Sequence, residues 1–135
     1  MSGKILTYLD TGVLLAVMRG EPGTGLRAYN LLNGPRREFI ASDALALELL
    51  PNAVYFKNQS EQQFCESFLN NAAHRIEASK QLFDEALQHA KTYGLAAMDA
   101  LHLASALAAG ASEIITTEKA TKPIHRVAAI KVSLL

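Results

Sequence analysis

The chain has 135 residues, a length that suits one domain, and we predict that residues 1–135 form a single domain. Thirteen basic residues balance thirteen acidic ones, so the chain lacks the clear basic excess of proteins that coat long stretches of nucleic acid. No apolar run is long enough to span a membrane and the first ten residues lack a signal-peptide core, so we expect a soluble cytoplasmic protein with no membrane partner.

Short stretches with strand or helix periodicity alternate along the first half of the chain. A strand is predicted over residues 4–9, and Asp10 ends it. The elements that follow are predicted as helices over 11–20 and 24–33, a strand over 38–41, a helix that starts at Ser42 and Asp43, and a long helix over about 52–72. Pro51 is predicted to end the helix before it or to kink it.

The second half of the chain continues the same alternation. It is predicted to form a strand over 75–78, a helix over 79–93, a helix that Asp99 opens and Gly110 stops, and strands over 113–117 and 127–134. Strands separated by helices of this length imply crossover connections, so we expect an α/β fold with a central, mostly parallel sheet covered on both faces. Ligands of such sheets bind outside the carboxyl ends of the strands.

Glu48 is an unusual residue for its predicted helix. Its neighbours from Ala44 to Leu50 are apolar nearly all the way round, which is typical of a buried helix. A carboxylate in such a place is costly unless it is paired or coordinates a metal ion. The alternative is that Glu48 reaches solvent through a narrow gap or pairs with an arginine.

Three further acids lie near expected strand or helix ends. Asp10 and Glu118 each follow a predicted strand directly, and neighbouring strands of a sheet are only about 4.8 Å apart. Asp99 stands before a helix, where an aspartate is a good N-cap without any functional role. Asp10 precedes a helix as well and allows the same interpretation.

A cluster of these acids would carry strong like-charge repulsion unless a cation shared the site. Carboxylate oxygens suit Mg²⁺ or Mn²⁺, and such ions also bind water and substrate phosphate. The predicted chemistry is phosphodiester hydrolysis, with a metal-activated water and a metal-stabilised leaving oxygen. The predicted catalytic residues are Asp10, Glu48, Asp99 and Glu118, and the predicted metal ligands are Asp10, Glu48 and Asp99.

Other polar residues near these acids allow two interpretations each. His102 lies one turn after Asp99 and could act as a ligand or general base, but we favour a packed helix histidine with a satisfied hydrogen bond. The basic residues after Glu118 either hold nucleic-acid phosphates or belong to an ordinary solvated loop. They are Lys119, Lys122, His125 and Arg126.

Several segments of the sequence resemble the PIN domain family. They are YLDTGVLLA around Asp10, ALALELL around Glu48, and AAMDALHLASALAAGASEIITTEK, which holds both Asp99 and Glu118. The similarity covers nearly the whole chain, and residues 98–119 are its most specific part. Within the family, the sequence is most similar to the toxins of bacterial and archaeal type II toxin–antitoxin pairs.

The resemblance implies a fold, a cofactor and partners. The family has a three-layer α/β/α sandwich, depends on Mg²⁺ or Mn²⁺, cleaves RNA and often forms homodimers, and its toxins are inhibited by a small antitoxin. Asp10, Glu48 and Asp99 fall on its best-kept acidic positions, whereas Glu118 stands where the family more often has Asp. Thr11 and Thr116 fall on positions expected to support these acids, and Lys119, Lys122 and Arg126 are the RNA-binding candidates.

The sequence therefore predicts a metal-dependent endoribonuclease that acts as the toxin of a toxin–antitoxin pair. One alternative is a non-catalytic PIN-fold module that binds RNA or protein through a degraded metal site, for which Glu118 is the sign. Another is a structural or regulatory α/β domain whose acids are only helix caps.

Overall fold

A computed structural model describes residues 3–135 and contains a five-stranded sheet, six α-helices and one short 3₁₀ helix. The strands are β1 (Ile5–Leu9), β2 (Arg37–Ser42), β3 (His74–Ile76), β4 (Glu113–Thr116) and β5 (Lys131–Leu134). The helices are α1 (Thr11–Arg19), α2 (Thr24–Asn33), α3 (Asp43–Tyr55), α4 (Gln59–Asn71), α5 (Lys80–Tyr93) and α6 (Ala97–Ala108), and the 3₁₀ helix is Pro123–Arg126.

All four strand pairings are parallel, and the order in the sheet is β3-β2-β1-β4-β5. The chain moves from β1 through β2 to β3 on one side, then crosses back to β4 and β5 on the other. Right-handed crossovers therefore place the two groups of helices on opposite faces of the sheet. This confirms the predicted α/β/α sandwich with a parallel sheet. It also places the topological switch point between β1 and β4, where ligands of such sheets bind.

The predicted helix over 52–72 is wrong, because two helices occupy this stretch. The first, α3, continues through Pro51 to Tyr55. A proline inside a helix removes one hydrogen bond to the residue four positions earlier, here Leu47, whose side chain is 65% exposed on the solvent side of the helix. The break comes later, at Lys57, which has a φ of 55°, and the side chain of Asn58 then caps α4.

Two other expectations also need correction. Helix α6 begins at Ala97, with Ala96 as its N-cap residue, so Asp99 lies in the first turn and is not the cap. Ala97 and Met98 extend the helix before Asp99, and an acid in the first turn still interacts favourably with the positive end of the helix dipole. The last strand is shorter than predicted because the 3₁₀ helix and a bend separate it from β4.

The apolar core lies on both faces of the central strands. Its largest fully buried members are Tyr8, Leu9, Leu14, Ile40, Leu45, Leu103 and Ile114. Within residues 3–135, no helix is long and apolar enough to cross a membrane. The loops at the carboxyl ends of β1 and β4 therefore follow strands that are buried in this core.

A buried ion pair joins three strands at the opposite edge of the sheet. The Glu113 side chain is only 6% exposed, and its Oε2 accepts hydrogen bonds from Arg37 Nε and Thr7 Oγ1, both at 2.7 Å. Burial raises the pKa of Glu113, but these hydrogen bonds outweigh the burial, so the pKa lies below its usual value. Glu113 therefore stabilises the fold in its ionised form.

We expect Glu113→Gln to lower the free energy of unfolding by about 1–3 kcal/mol at neutral pH, because it removes a buried charge-assisted hydrogen bond. A depressed folded-state pKa gives stability that is present above the unfolded-state pKa of about 4.3 and is lost as the pH falls through the folded-state value. Urea unfolding at a series of pH values should show a flatter acid-side profile for the variant. Glu21→Gln, at an exposed position, should change stability by less than about 0.5 kcal/mol; an equal loss in both variants would contradict this role of Glu113.

Candidate functional site

Asp10 joins the carboxyl ends of β1 and β4. It is the N-cap of α1, and its Oδ1 accepts a hydrogen bond of 2.7 Å from the backbone N–H of Thr11. Its Oδ2 accepts a hydrogen bond of 2.8 Å from Thr116 Oγ1, which in turn accepts one of 3.0 Å from the backbone N–H of Glu118. Both carboxylate oxygens are thus held by neutral donors, and the Thr116 hydroxyl links Asp10 to the loop that carries Glu118.

Gly12 allows the first turn of α1 to pack tightly against the loop after β4. A Cβ atom on Gly12 would lie only 2.1 Å from Thr117 Oγ1, so any other residue would force the Thr117 side chain to move. The close approach keeps the two loops that follow the central strands in one fixed arrangement.

Glu48 faces this edge of the sheet from α3. Its Oε1 accepts a hydrogen bond of 2.6 Å from Thr11 Oγ1 and a second, short one from His102 Nε2. The hydrogen bond from His102 lowers the pKa of Glu48, the one from Thr11 adds to the effect, and both outweigh the opposing effect of burial. The side chain is 31% exposed, so Glu48 reaches solvent in part, and its partners are a histidine and a threonine where an arginine was considered.

The hydrogen bonds continue from His102 into the core. The ring is 3% exposed, and its Nδ1 lies 2.6 Å from the hydroxyl of Tyr8, which lies 2.7 Å from Ser42 Oγ. The packed histidine with satisfied hydrogen bonds was expected, but its contact with Glu48 and the participation of Tyr8 were missed. The only available signal was general: a tyrosine inside a buried strand needs a polar partner for its hydroxyl.

Asp99 and Glu118 complete the acidic group. Burial raises the pKa of Asp99, and the negative charges of Asp10, Glu118 and Glu48 raise it further, while His102 opposes them. The four acids named from the sequence therefore lie within one electrostatic neighbourhood. Asp99 and Asp10 stand at the N-termini of α6 and α1, whose helix dipoles offset a part of the repulsion.

Among the described residues, this acidic group has no lysine or arginine partner. Within residues 3–135, the salt bridges to lysine or arginine involve Glu61, Glu113, Asp43 and Asp84, and none involves Asp10, Glu48, Asp99 or Glu118. An uncompensated group of carboxylates is the donor set that a hard divalent cation prefers.

The acidic side chains are ligands that such a cation prefers, but they do not already form a complete coordination site. In the described part of the chain, no three acidic, histidine or cysteine side chains are already arranged to hold a metal ion. The protein engages Asp10 and Glu48 through hydrogen bonds to Thr116 and Thr11. Mg²⁺ keeps several waters and needs only one or two protein carboxylates, so a closed cage is not required.

The basic candidates lie beyond Glu118. Lys119, Lys122 and Arg126 are exposed, while His125 Nε2 makes a hydrogen bond of 2.8 Å to the backbone oxygen of Glu118. Arg37 is bound to Glu113 at the other edge of the sheet and cannot extend this surface. These basic candidates therefore belong to the loop and the 3₁₀ helix that follow β4.

A groove of about 300 Å³ runs beside Glu48 between α1, α3 and α4. Its lining combines apolar side chains of α1 and α3 with the exposed Arg19 and with Phe56 at the end of α3. Several large apolar side chains of α3 and its C-terminal end are exposed nearby, namely Leu47, Val54, Tyr55 and Phe56. This surface is more apolar than a solvated helix face normally is.

Comparisons with known proteins agree with this architecture. The model of the PIN domain family matches residues 7–129. A search of curated proteins finds no match. Among solved structures, the fold is similar to VapBC2 from Rickettsia felis bound to a DNA fragment from their promoter, with a TM-score of 0.72, 18% sequence identity and coverage of 97% of this chain and 99% of that one.

Two further structures have similar folds. DNA-bound VapBC from Salmonella typhimurium has a TM-score of 0.70 at 16% identity, with 96% of this chain and 98% of that chain covered. A toxin–antitoxin complex from Klebsiella pneumoniae has a TM-score of 0.60 at 20% identity, with 85% and 90% covered. At these identities the similarity shows a shared fold.

The raised pKa of Asp99 means that the folded, metal-free protein disfavours its charged form. We therefore expect Asp99→Asn to raise the free energy of unfolding at neutral pH by about 0.5–2 kcal/mol when a chelator is present. Thermal or urea unfolding measures the change. Asp84→Asn, which removes an exposed helical ion pair, is the control and should be neutral or slightly destabilising. A clear loss of stability in Asp99→Asn would show that repulsion does not dominate at this position.

Proposed function

This chain belongs to the PIN domain family, and from that membership together with its uncompensated acidic group we propose that it is a metal-dependent endoribonuclease that hydrolyses RNA phosphodiester bonds. The observation that carries the proposal is the meeting of four acids at the switch point between β1 and β4 without a lysine or arginine partner in the described residues. A structural cluster of caps would gain nothing from that repulsion.

In the proposed reaction, Asp10, Asp99 and Glu48 would hold Mg²⁺ or Mn²⁺, directly or through water. When bound, such an ion would supply an activated water and charge stabilisation at the leaving oxygen. The residues around these acids have positioning roles: Thr116 and the Thr11 backbone hold the Asp10 carboxylate, and the Thr11 hydroxyl and His102 hold Glu48. Fixed carboxylates lower the reorganisation that the reaction needs.

RNA would approach over the loop and 3₁₀ helix after β4. Lys119, Lys122 and Arg126 are exposed there and follow Glu118 along the chain, so their charges are available for RNA phosphates. The neutral total charge is compatible with this, since a few cations suffice for a short segment of RNA.

We also propose that the protein is the toxin of a toxin–antitoxin pair and forms a homodimer. All three similar structures described above hold such toxin–antitoxin complexes. Leu47, Tyr55 and Phe56 are exposed on α3 and at its C-terminal end and provide an apolar, aromatic surface of the kind that protein partners bind, and Phe56 also lines the mixed polar and apolar groove beside Glu48. An antitoxin on this surface would cover the acids and block RNA.

One observation favours the alternative of a non-catalytic module that binds RNA or protein. No three acids of residues 3–135 are arranged to hold an ion, and Glu118 replaces the aspartate expected at its position. Calorimetry separates the two functions, because the module should bind RNA equally well in Mn²⁺ and in chelator.

Asp10→Asn and Asp99→Asn should each lower the rate of RNA cleavage by more than about a hundredfold. A residue that only supports a metal ligand typically costs about 10–100-fold when it is changed, so a proposed ligand should cost more. Cleavage of a mixed RNA pool in Mg²⁺ or Mn²⁺ and calorimetry of Mn²⁺ binding are the measurements. Asp84→Asn, on the exposed face of α5, should cleave RNA as the unaltered protein does. If the unaltered protein neither cuts RNA nor binds either metal, the proposal fails.

Glu118 is tested by changing either its length or its charge. If its carboxylate serves the site, Glu118→Gln should lower cleavage about tenfold or more, whereas Glu118→Asp should retain or exceed the original rate. Rates in Mg²⁺ across a range of metal concentrations measure both effects. Equal rates for the glutamine variant and the unaltered protein would exclude Glu118 from catalysis.

A further inference from the structure

A chain of four hydrogen bonds joins the buried core to the proposed catalytic edge. It runs from Ser42 Oγ to the Tyr8 hydroxyl, from there to His102 Nδ1, and from His102 Nε2 to Glu48 Oε1, which also accepts from Thr11. Tyr8 is completely buried near the carboxyl end of β1, and His102 is 3% exposed. Because both side chains are buried, direct contact with a substrate does not explain their presence in this chain of hydrogen bonds.

The direction of these hydrogen bonds follows from the donors available. A carboxylate only accepts, so His102 Nε2 must carry the proton that is donated to Glu48. Ser42 Oγ already accepts from the backbone N–H of Leu45 and has one hydrogen to donate, which lies within reach of the Tyr8 oxygen at 2.7 Å. The Tyr8 hydroxyl is then free to donate to Nδ1, and every group in the chain then has a hydrogen-bond partner.

We propose that Tyr8 is a positioning residue: its buried hydroxyl donates to His102 Nδ1 and holds the ring with its Nε2–H directed at Glu48. The proposal rests on the proposed function for its effect on catalysis, but the hydrogen-bond arrangement stands independently of it. Tyr8 is buried on a strand that is paired on both sides, so the core fixes the end of the hydrogen-bond chain that reaches Glu48. Residues that orient a metal-site carboxylate in this way commonly change activity by about 10–100-fold when removed.

The hydrogen-bond arrangement is tested by ¹⁵N NMR of the histidine rings at neutral pH in chelator. The chain has four histidines, and the signals that disappear in His102→Gln identify His102. The expected result is a protonated Nε2 and an unprotonated Nδ1, with the Nε2 proton protected from exchange with water. In Tyr8→Phe the same proton should exchange faster. A protonated Nδ1 in the unaltered protein, or unchanged exchange in Tyr8→Phe, would overturn the proposal.

The catalytic consequence is tested by kinetics of RNA cleavage. Tyr8→Phe should lower kcat about 10–100-fold with little change in KM, because Tyr8 touches His102 and not RNA. The double variant Tyr8→Phe/His102→Ala should be no slower than His102→Ala alone, since Tyr8 acts through His102. His102→Gln should be faster than His102→Ala, because the glutamine amide can still donate to Glu48. Additive losses in the double variant would show that Tyr8 acts by another route.

A control separates this effect from a general loss of stability. Thr7 neighbours Tyr8 on β1, is also completely buried, and donates its hydroxyl hydrogen bond to Glu113 at the other end of the sheet. Thr7→Val should lower stability without altering kcat or the His102 signals. If Thr7→Val lowers kcat as much as Tyr8→Phe does, the effect is structural and the proposal is wrong. If the unaltered protein cleaves no RNA, the proposed function fails, while the NMR result still decides the arrangement.

Discussion

The structure depends on the cost of bringing Asp10, Glu48, Asp99 and Glu118 to one edge of a sheet. Burial raises the pKa of Asp99, the charges of the other acids raise it further, and the described residues supply no lysine or arginine partner against this repulsion. The fold meets this cost with helix N-termini, threonine hydroxyls and a histidine ring. Such donors orient a carboxylate and leave its charge available to a cation, which a salt bridge would not do.

The topology explains why these donors lie within reach. The strand order places β1 beside β4, so the hydroxyl of Thr116 at the end of β4 reaches Asp10 at the end of β1. The first turn of α1 then brings Thr11 to Glu48, and the absence of a side chain at Gly12 permits the close contact with the loop after β4. The hydrogen bonds to Asp10 and Glu48 thus come from Thr116 and Thr11, which lie within two positions of the ends of β4 and β1.

Much of this arrangement could be predicted from the sequence, because strand ends and helix caps have local signals. The strands, the helix end at Gly94, the helix start at Ser42 and the placement of acids beyond β1 and β4 all follow from short-range patterns. Two features do not follow from short-range patterns: Asp99 lies inside the first turn of α6, and α3 continues through Pro51. Both depend on where the neighbouring turns end. Hydrogen bonds between residues far apart in sequence, such as Tyr8 with His102, leave no local signal at all.

Glu113 and Glu48 lie at opposite edges of the sheet and are held by different hydrogen-bond partners. The type of partner distinguishes a glutamate that stabilises the fold from one whose charge is available to a ligand. Glu113 is paired with Arg37, so its charge is neutralised, and it can serve only to hold three strands together. Glu48 is held with comparable firmness by Thr11 and His102, but its charge is not neutralised by a guanidinium group, and its side chain stays 31% exposed. A lysine or arginine in place of His102 would offset the Glu48 charge that the proposed metal ion would need. The hydrogen bonds from Thr11 and His102 hold the carboxylate in place, and their geometry is the constraint that the buried Tyr8 would help to maintain.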